Sequence, residues 1–330
     1  MKTKFYLFCL ICFSISLCMI PEVNAQNRSW KSWFIEQYFW LKGDKSYYSA
    51  QDPASFDKYV QSAGLESNKG FALSADSVNG ELVTEQQFGM QVHRWNKSGK
   101  ANQRVILYLH GGSYLNNPTS YHIDTLKTLS TSLDAEIVLP IYPKAPSFTY
   151  QDSIPKLIEL YKGIRQKTDP KNITIMGDSA GGGLALALAL AVKDNGLTQP
   201  KDIILLSPWL DVSMSNPGIP AFEESDPILS AWGLRRVGEI WAGGAEHINH
   251  PYVSPINGDF TNLAPITLFV GTREIFYPDI IIFREKLASM NHPHQLFEGT
   301  GMNHVYPIYP ISEAKDAQYK IIDTINKVWQ

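Results

Sequence analysis

The sequence predicts an α/β fold: a mostly parallel central sheet with helices on both faces and a helical cap. Short apolar runs, Val105–Leu109, Ala135–Leu139, Ile173–Met176, Ile203–Leu206 and Ile266–Val270, read as strands buried on both faces, as parallel strands are. Helical patterns fall between them, at Ile154–Ile164, Leu184–Val192 and Ile280–Ala288, so strand and helix alternate. About sixty residues rich in Pro, Trp and Gly separate Leu206 from Ile266. That is too long for an ordinary crossover and reads as material inserted above the sheet.

The chain opens on a segment that does not belong to this pattern. Lys2 and Lys4 precede the apolar run Phe5–Ile20, and Pro21-Glu22-Val23-Asn24-Ala25 ends in small residues. This is the form of a secretory signal peptide cut after Ala25, with the fold in residues 26–330. An uncleaved anchor is the alternative, the run being slightly short for a comfortable span. Lipidation at Cys18 is disfavoured by the bulky Leu17 before it. All three cysteines, Cys9, Cys12 and Cys18, lie inside the leader. The rest has no thiol for disulfides or metal, which suits a secreted or periplasmic protein.

The charge is nearly balanced, 29 basic against 32 acidic side chains for a net −3, with no basic run. Nucleic acid is therefore not an expected partner. No second apolar run is long enough for a membrane span, so none is expected once the leader is cut. There is no internal repeat and no low-complexity tract.

Trp30 to Asp57 is rich in aromatics, with Trp33, Phe34 and Tyr38 near helical spacing. Two readings follow: a helix packing its aromatic face on the rest of the protein, or a cap with an apolar inner side. The cap is expected from about 27–75 and about 208–255. Glu81–Trp95 alternates loosely, as strands do. His294–Phe297 suits a last strand and Glu313–Val328 a last helix.

Gly177-Asp178-Ser179-Ala180-Gly181 sits where the Ile173–Met176 strand meets the next helix. A serine between glycines at such a turn stands exposed as a nucleophile, beside the helix N-terminus. A hydroxyl needs a base, and the base an orienting acid; after this elbow the acid and then the histidine follow along the chain. His247, His250, His292, His294 and His304 are the histidines available. His304, in a glycine-bearing loop past the last strand, is preferred. His247 and His250 read as loop residues rather than a metal pair, and His294 as a strand residue. Glu274, just after Val270, is the expected acid; Asp279 is the alternative, better suited to capping a helix. His110-Gly111-Gly112 follows the Val105–Leu109 strand directly. The amides of Gly111, Gly112 and Ala180 are the expected oxyanion hole, with His110 holding the loop.

These motifs, with Ser207-Pro208-Trp209-Leu210-Asp211, Tyr142-Pro143-Lys144-Ala145-Pro146, Gly271 to Asp279 and Asn303-His304, together resemble the hormone-sensitive-lipase-like esterases of the α/β-hydrolase superfamily. The resemblance runs from about Ser29 to the C-terminus. It implies a hydrolase of short- to medium-chain carboxylic esters acting through an acyl-enzyme, on a small-molecule substrate, with no cofactor and no metal. It also implies that Asp178 and Asp211 support the site rather than react. Ser113 departs from the family's third glycine, and Glu274 from its usual aspartate. The same machinery could cleave amides or lactones, or deacetylate carbohydrates. A ligand receptor on an inactive scaffold would be expected to have lost Ser179 or His304. Oligomeric state is not legible.

Overall fold

The computed structural model describes residues 28–49, 52–100 and 102–327. The expected leader lies outside them. Eight strands form one sheet in the order β1-β2-β4-β3-β5-β6-β7-β8. β1 (Leu82–Gln87) and β2 (Met90–Trp95) make an antiparallel hairpin, turning through Phe88 and Gly89, both at positive φ as tight hairpins require. β2 lies antiparallel to β4 (Glu136–Ile141). The remaining pairs are parallel: β3 (Val105–Leu109) with β4 and β5 (Ile173–Asp178), then β6 (Asp202–Leu206), β7 (Ile266–Gly271) and β8 (His294–Gly299).

Every residue of β3 to β7 is buried, because both faces are covered. Alternate side chains feed two cores. Val105, Leu107, Ile175 and Leu205 pack with α5 (Tyr150–Arg165), α6 (Ser179–Asp194) and α9 (Tyr277–Ser289). Ile106, Tyr108, Met176 and Ile204 pack on the other face with α4 (Ser120–Leu133) and α10 (Ser312–Asn326). The expected α/β-hydrolase architecture is the one found. The expected end of the last helix, at Val328, lies outside the described residues.

Helix α4 was not expected, since Ser120, Thr125, Thr128, Ser130 and Thr131 are poor helix formers. It forms because Ile123, Leu126, Leu129 and Leu133 bury one face against the sheet, and Thr119 and His122 close a capping box.

Before β1 come α1 (Trp30–Lys42), α2 (Lys45–Tyr48) and α3 (Pro53–Asn68). Between β6 and β7 come α7 (Ile219–Glu223) and α8 (Ala231–Ala242). The two groups interlock. A Cβ on Gly233 of α8 would lie 2.5 Å from Tyr48 Cα, so only glycine fits. Lys45 Nζ donates to the carbonyls of Glu223 and, at 2.8 Å, Asp226.

Both expectations for the first helix are overturned in one respect. Trp33, Phe34 and Tyr38 are 44, 57 and 52% exposed, facing solvent rather than a core or a cap interior. Tertiary ion pairs decide this: Glu36, on the opposite face, is buried against Arg28 and against Arg273, 3.0 Å away.

Asp202 sits buried at the start of β6, with neither carboxylate oxygen hydrogen-bonded among the described residues. Burial pushes its carboxyl up to about 6, which Lys201, 3.8 Å away, only partly offsets. A folded-state carboxyl raised this way penalises the native state at neutral pH, and the penalty fades as pH falls from about 6 to the ordinary carboxylate value near 4. Asp202→Asn is expected to add about 2–3 kcal/mol of stability at pH 7 and almost none at pH 4. Urea titrations at the two pH values check this.

Candidate active site

The turn from β5 into α6 is built around close backbone approaches. A Cβ on Gly181 would lie 2.1 Å from Leu109 O, and one on Gly177 2.3 Å from Gly181 O. The flanking residues must therefore be glycine for space, not for dihedral freedom. Ser179 itself takes the left-handed conformation, φ 52°, a strained geometry for a side-chain-bearing residue. It opens into a cavity of about 460 Å³, within the range of small-molecule sites.

The structure brings His304 to this serine across 125 residues of sequence: Nε2 lies 2.8 Å from Ser179 Oγ. His304 Nδ1 lies 3.6 Å from Glu274 Oε1, an ion-pair contact longer than a hydrogen bond. Both atoms lack another partner among the described residues. Burial pushes the His304 imidazole down, but Glu274, helped by Asp226 and Asp178, outweighs it and holds the pKa above its ordinary value. Asp279 is not the acid beside His304. Nor does it cap its helix: it is buried, with Oδ1 accepting from Asn216 Nδ2 at 2.7 Å, and burial pushes its carboxyl up to about 6.

Two residues of this centre were given no role from the sequence. Ser207 Oγ donates to Glu274 Oε2 at 2.7 Å and accepts from Val305 N at 3.0 Å, tying the acid to the histidine's loop. Val305 is held there at φ 51°, an unfavourable conformation for a β-branched residue. The second is Asp226, from the insertion, which is fully buried. Its Oδ1 accepts from Ile228 N and Leu229 N at 2.9 and 3.0 Å, and its Oδ2 from Ile275 N at 3.1 Å. Ile275 follows Glu274, so the cap is pinned to the acid's loop. The Asp-Pro of Asp226-Pro227 was the only local hint, and it marks a turn as readily as a site.

Of the expected oxyanion donors, Gly111 needs correction. Its N–H donates to Asp178 Oδ1 at 2.8 Å and is not available to a ligand. Gly112 N and Ala180 N are in no such bond among the described residues. Asp178 Oδ1 also accepts from Tyr108 OH at 2.7 Å, and Oδ2 lies 3.2 Å from His122 Nε2. Burial opposes ionisation of Asp178, but His122, Tyr108 and the Gly111 amide win and hold its carboxyl below the usual range. Asp178 thus fastens the Gly111 loop to the elbow. His110 holds the loop from the other side: its Nδ1–H donates to Gly111 O at 2.7 Å, and its ring stacks on Tyr142 at 4.6 Å. Burial pushes its pKa down, so the ring is neutral. Asp211 Oδ1 accepts from Ser213 N at 2.8 Å, a turn contact within the insertion.

Of the other histidines, His294 Nδ1 bonds His292 O at 2.7 Å and His292 Nε2 bonds Ala264 O at 3.2 Å, both at the entry to β8. His247 and His250 lie in the insertion, near Tyr150. The cavity walls come from both cap pieces: Phe39, Tyr48 and Tyr59 on one side, Ile228 and Leu229 on the other. Tyr48 OH donates to Ser113 Oγ at 3.0 Å, so the departure from glycine at Ser113 ties α2 to the loop after β3.

A serine on a strand-to-helix elbow at a cavity, with a histidine at hydrogen-bond distance and a mostly parallel sheet beneath, defines an α/β hydrolase. Residues 106–308 match the sequence profile of a family described as alpha/beta hydrolase fold, and the chain belongs to that family. An acetyl-hydrolase of Streptomyces hygroscopicus is 28% identical over 231 residues, covering 70% of this chain and 76% of the relative. The solved structure of a Staphylococcus aureus candidate esterase is 30% identical, with a TM-score of 0.80 over 85% of this chain and 95% of that one. A solved esterase of the bacterial hormone-sensitive lipase family shares the fold at 21% identity, with a TM-score of 0.76 over 91% and 98%. The α/β-hydrolase resemblance read from the motifs therefore holds.

Proposed function

We propose that this protein is a serine hydrolase of carboxylic esters with short to medium acyl groups, working through an acyl-enzyme. The observation that carries the reading is the 2.8 Å contact between His304 Nε2 and Ser179 Oγ at a cavity lined by Gly112 and Leu229. The acetyl-hydrolase and esterase names of its relatives support the same chemistry.

In this reading Ser179 Oγ attacks the ester carbonyl while His304 Nε2 takes its proton. The amides of Gly112 and Ala180 hold the oxyanion of the tetrahedral intermediate. His304 then protonates the departing alkoxide, leaving the acyl group on Ser179. Water, giving its proton to His304, attacks the acyl carbonyl; His304 returns that proton to Ser179 Oγ as the ester bond breaks and the acid leaves. Glu274 keeps the His304 Nδ1 proton in place and balances the imidazolium through both halves. The leader-like Met1–Ala25 supports an exported enzyme, secreted or periplasmic.

A second reading, deacetylation of acetylated carbohydrates, is favoured by the Streptomyces relative and by the Tyr48, Tyr59 and Asn116 polar groups at the cavity. One panel separates the two: p-nitrophenyl esters from acetate to laurate, alongside acetylated sugars. For the first reading, kcat/KM is expected to peak at butyrate to hexanoate and fall at least about tenfold by laurate. A preference for acetylated sugars over every simple ester would install the second. A fluorophosphonate is expected to add its phosphonyl mass to the Ser179 peptide; labelling elsewhere would refute the mechanism.

A further inference from the structure

Helix α1 turns an apolar stripe to solvent. Trp30, Trp33, Phe34, Tyr38 and Leu41 recur at i, i+3, i+4, i+8 and i+11, the spacing of a face that soluble proteins bury. Here that face is out: the five side chains are 67, 44, 57, 52 and 87% exposed. The rings form a continuous surface, Phe34 lying 5.7 Å from Trp30 and 5.0 Å from Trp33, edge to face. The buried side carries Ser32 and Glu36 alongside the apolar Ile35 and Phe39. Ser32 Oγ contacts Met302 Sδ, and Glu36 is held by Arg28 and Arg273. Turning the helix to hide its aromatics would strand the Glu36 carboxylate and break both ion pairs. The orientation is thus fixed by the body of the protein, and the aromatic stripe is presented outward.

We infer that this stripe is a docking face for a lipid bilayer, on which α1 lies in the plane of the interface. Three features choose a membrane over another occupant. Trp, Tyr and Phe beside Leu, with Lys31 and Lys42 exposed at either end, is the composition of an interfacial helix. The apolar run Phe5–Ile20, behind Lys2 and Lys4, ends about ten residues before Trp30, and such a link reaches at most about 35 Å. Kept as the uncleaved anchor, that run would hold α1 within reach of the bilayer that takes it. The stripe also leads to the site. Leu41 is followed by Lys42, which with Phe39 lines the cavity that holds Ser179. An enzyme lying on α1 would hold that cavity near the lipid surface, where amphiphilic esters collect.

Vesicle flotation tests the inference. Wild type and Trp30→Gln/Trp33→Gln/Phe34→Gln/Leu41→Gln are purified from one exporting host, with intact mass giving each N-terminus. Phosphatidylcholine vesicles, with and without phosphatidylglycerol, are the probe. Wild type is expected to float, and the quadruple variant to partition at least about tenfold less, with p-nitrophenyl butyrate turnover unchanged. None of the four side chains lines the cavity, so that turnover also reports an intact fold. In wild type, dibrominated lipid is expected to quench tryptophan fluorescence; Trp95, Trp209 and Trp241 are fully buried and out of reach. Equal flotation of the variant would assign attachment to the N-terminal segment and overturn the role of α1. Absence of flotation and quenching overturns the inference too. Sedimentation showing a dimer that the variant abolishes, without vesicle binding, would give the face to a second copy instead.

Discussion

Ser179→Ala is expected to lower ester turnover by about 10⁴–10⁶-fold with the fold intact. The size follows from what the hydroxyl alone supplies. Without Oγ no acyl-enzyme forms, and the proton acceptor at His304 Nε2, 2.8 Å away, has nothing to activate but water. Gly112 and Ala180 amides would still polarise a bound carbonyl, so activity above the uncatalysed rate is expected to remain. Stability should change little, because alanine pays the same left-handed backbone cost that serine already bears at φ 52°. Turnover of p-nitrophenyl butyrate, read beside a thermal unfolding curve, checks both halves. A folded variant with wild-type activity would remove Ser179 as the nucleophile.

Glu274→Gln carries the second largest effect, a fall in kcat of about 10²–10⁴-fold, while Asp279→Asn stays near wild type. Glu274 is the carboxylate 3.6 Å from His304 Nδ1, and Asp279 is occupied with Asn216. The pH profile adds a signature. His304 must be neutral to act as base, and its pKa is held above the ordinary value. The acid limb of wild-type activity is therefore expected above about pH 6.5. Removing the Glu274 charge lowers that pKa, so the limb moves to lower pH even as the plateau drops. Asp226→Asn is expected to move it the same way by less, because it removes a weaker attraction and one hold on the Glu274 loop. An acid limb unmoved in Glu274→Gln, or a larger loss in Asp279→Asn, would reassign the acid.

Much of this centre was legible one residue at a time. The elbow announced itself because Gly177 and Gly181 have backbone atoms where side chains would be, and only glycine answers that constraint. Chain order then singled out Glu274 and His304, since each follows a strand end and loops at strand ends of one sheet edge converge. The order could not tell which amides were free. Gly111 and Gly112 look alike in sequence, and the Asp178 carboxylate that captures the Gly111 N–H lies 67 residues away. Asp226 was hidden for a similar reason: its value lies in reaching Ile275 N, 49 residues on, from an insertion with no regular pattern.

The aromatic helix is the clearest case of the division. The near-helical spacing of Trp33, Phe34 and Tyr38 pointed to a helix with an aromatic face, because spacing along a chain is a local property. The apolar runs and the alternation of strand with helix likewise pointed to the sheet and its two buried faces, and the flanking glycines to the Ser179 turn. Which way the stripe would face was not a local question. It was decided by Glu36 meeting Arg28 and Arg273, a buried charge whose pairing overrides the pull of five exposed apolar side chains. The meeting of Ser179 with His304, the engagement of Gly111 and the pinning of the Glu274 loop by Asp226 were decided in the same way. Each depends on groups far apart in the chain that become neighbours only when the sheet closes.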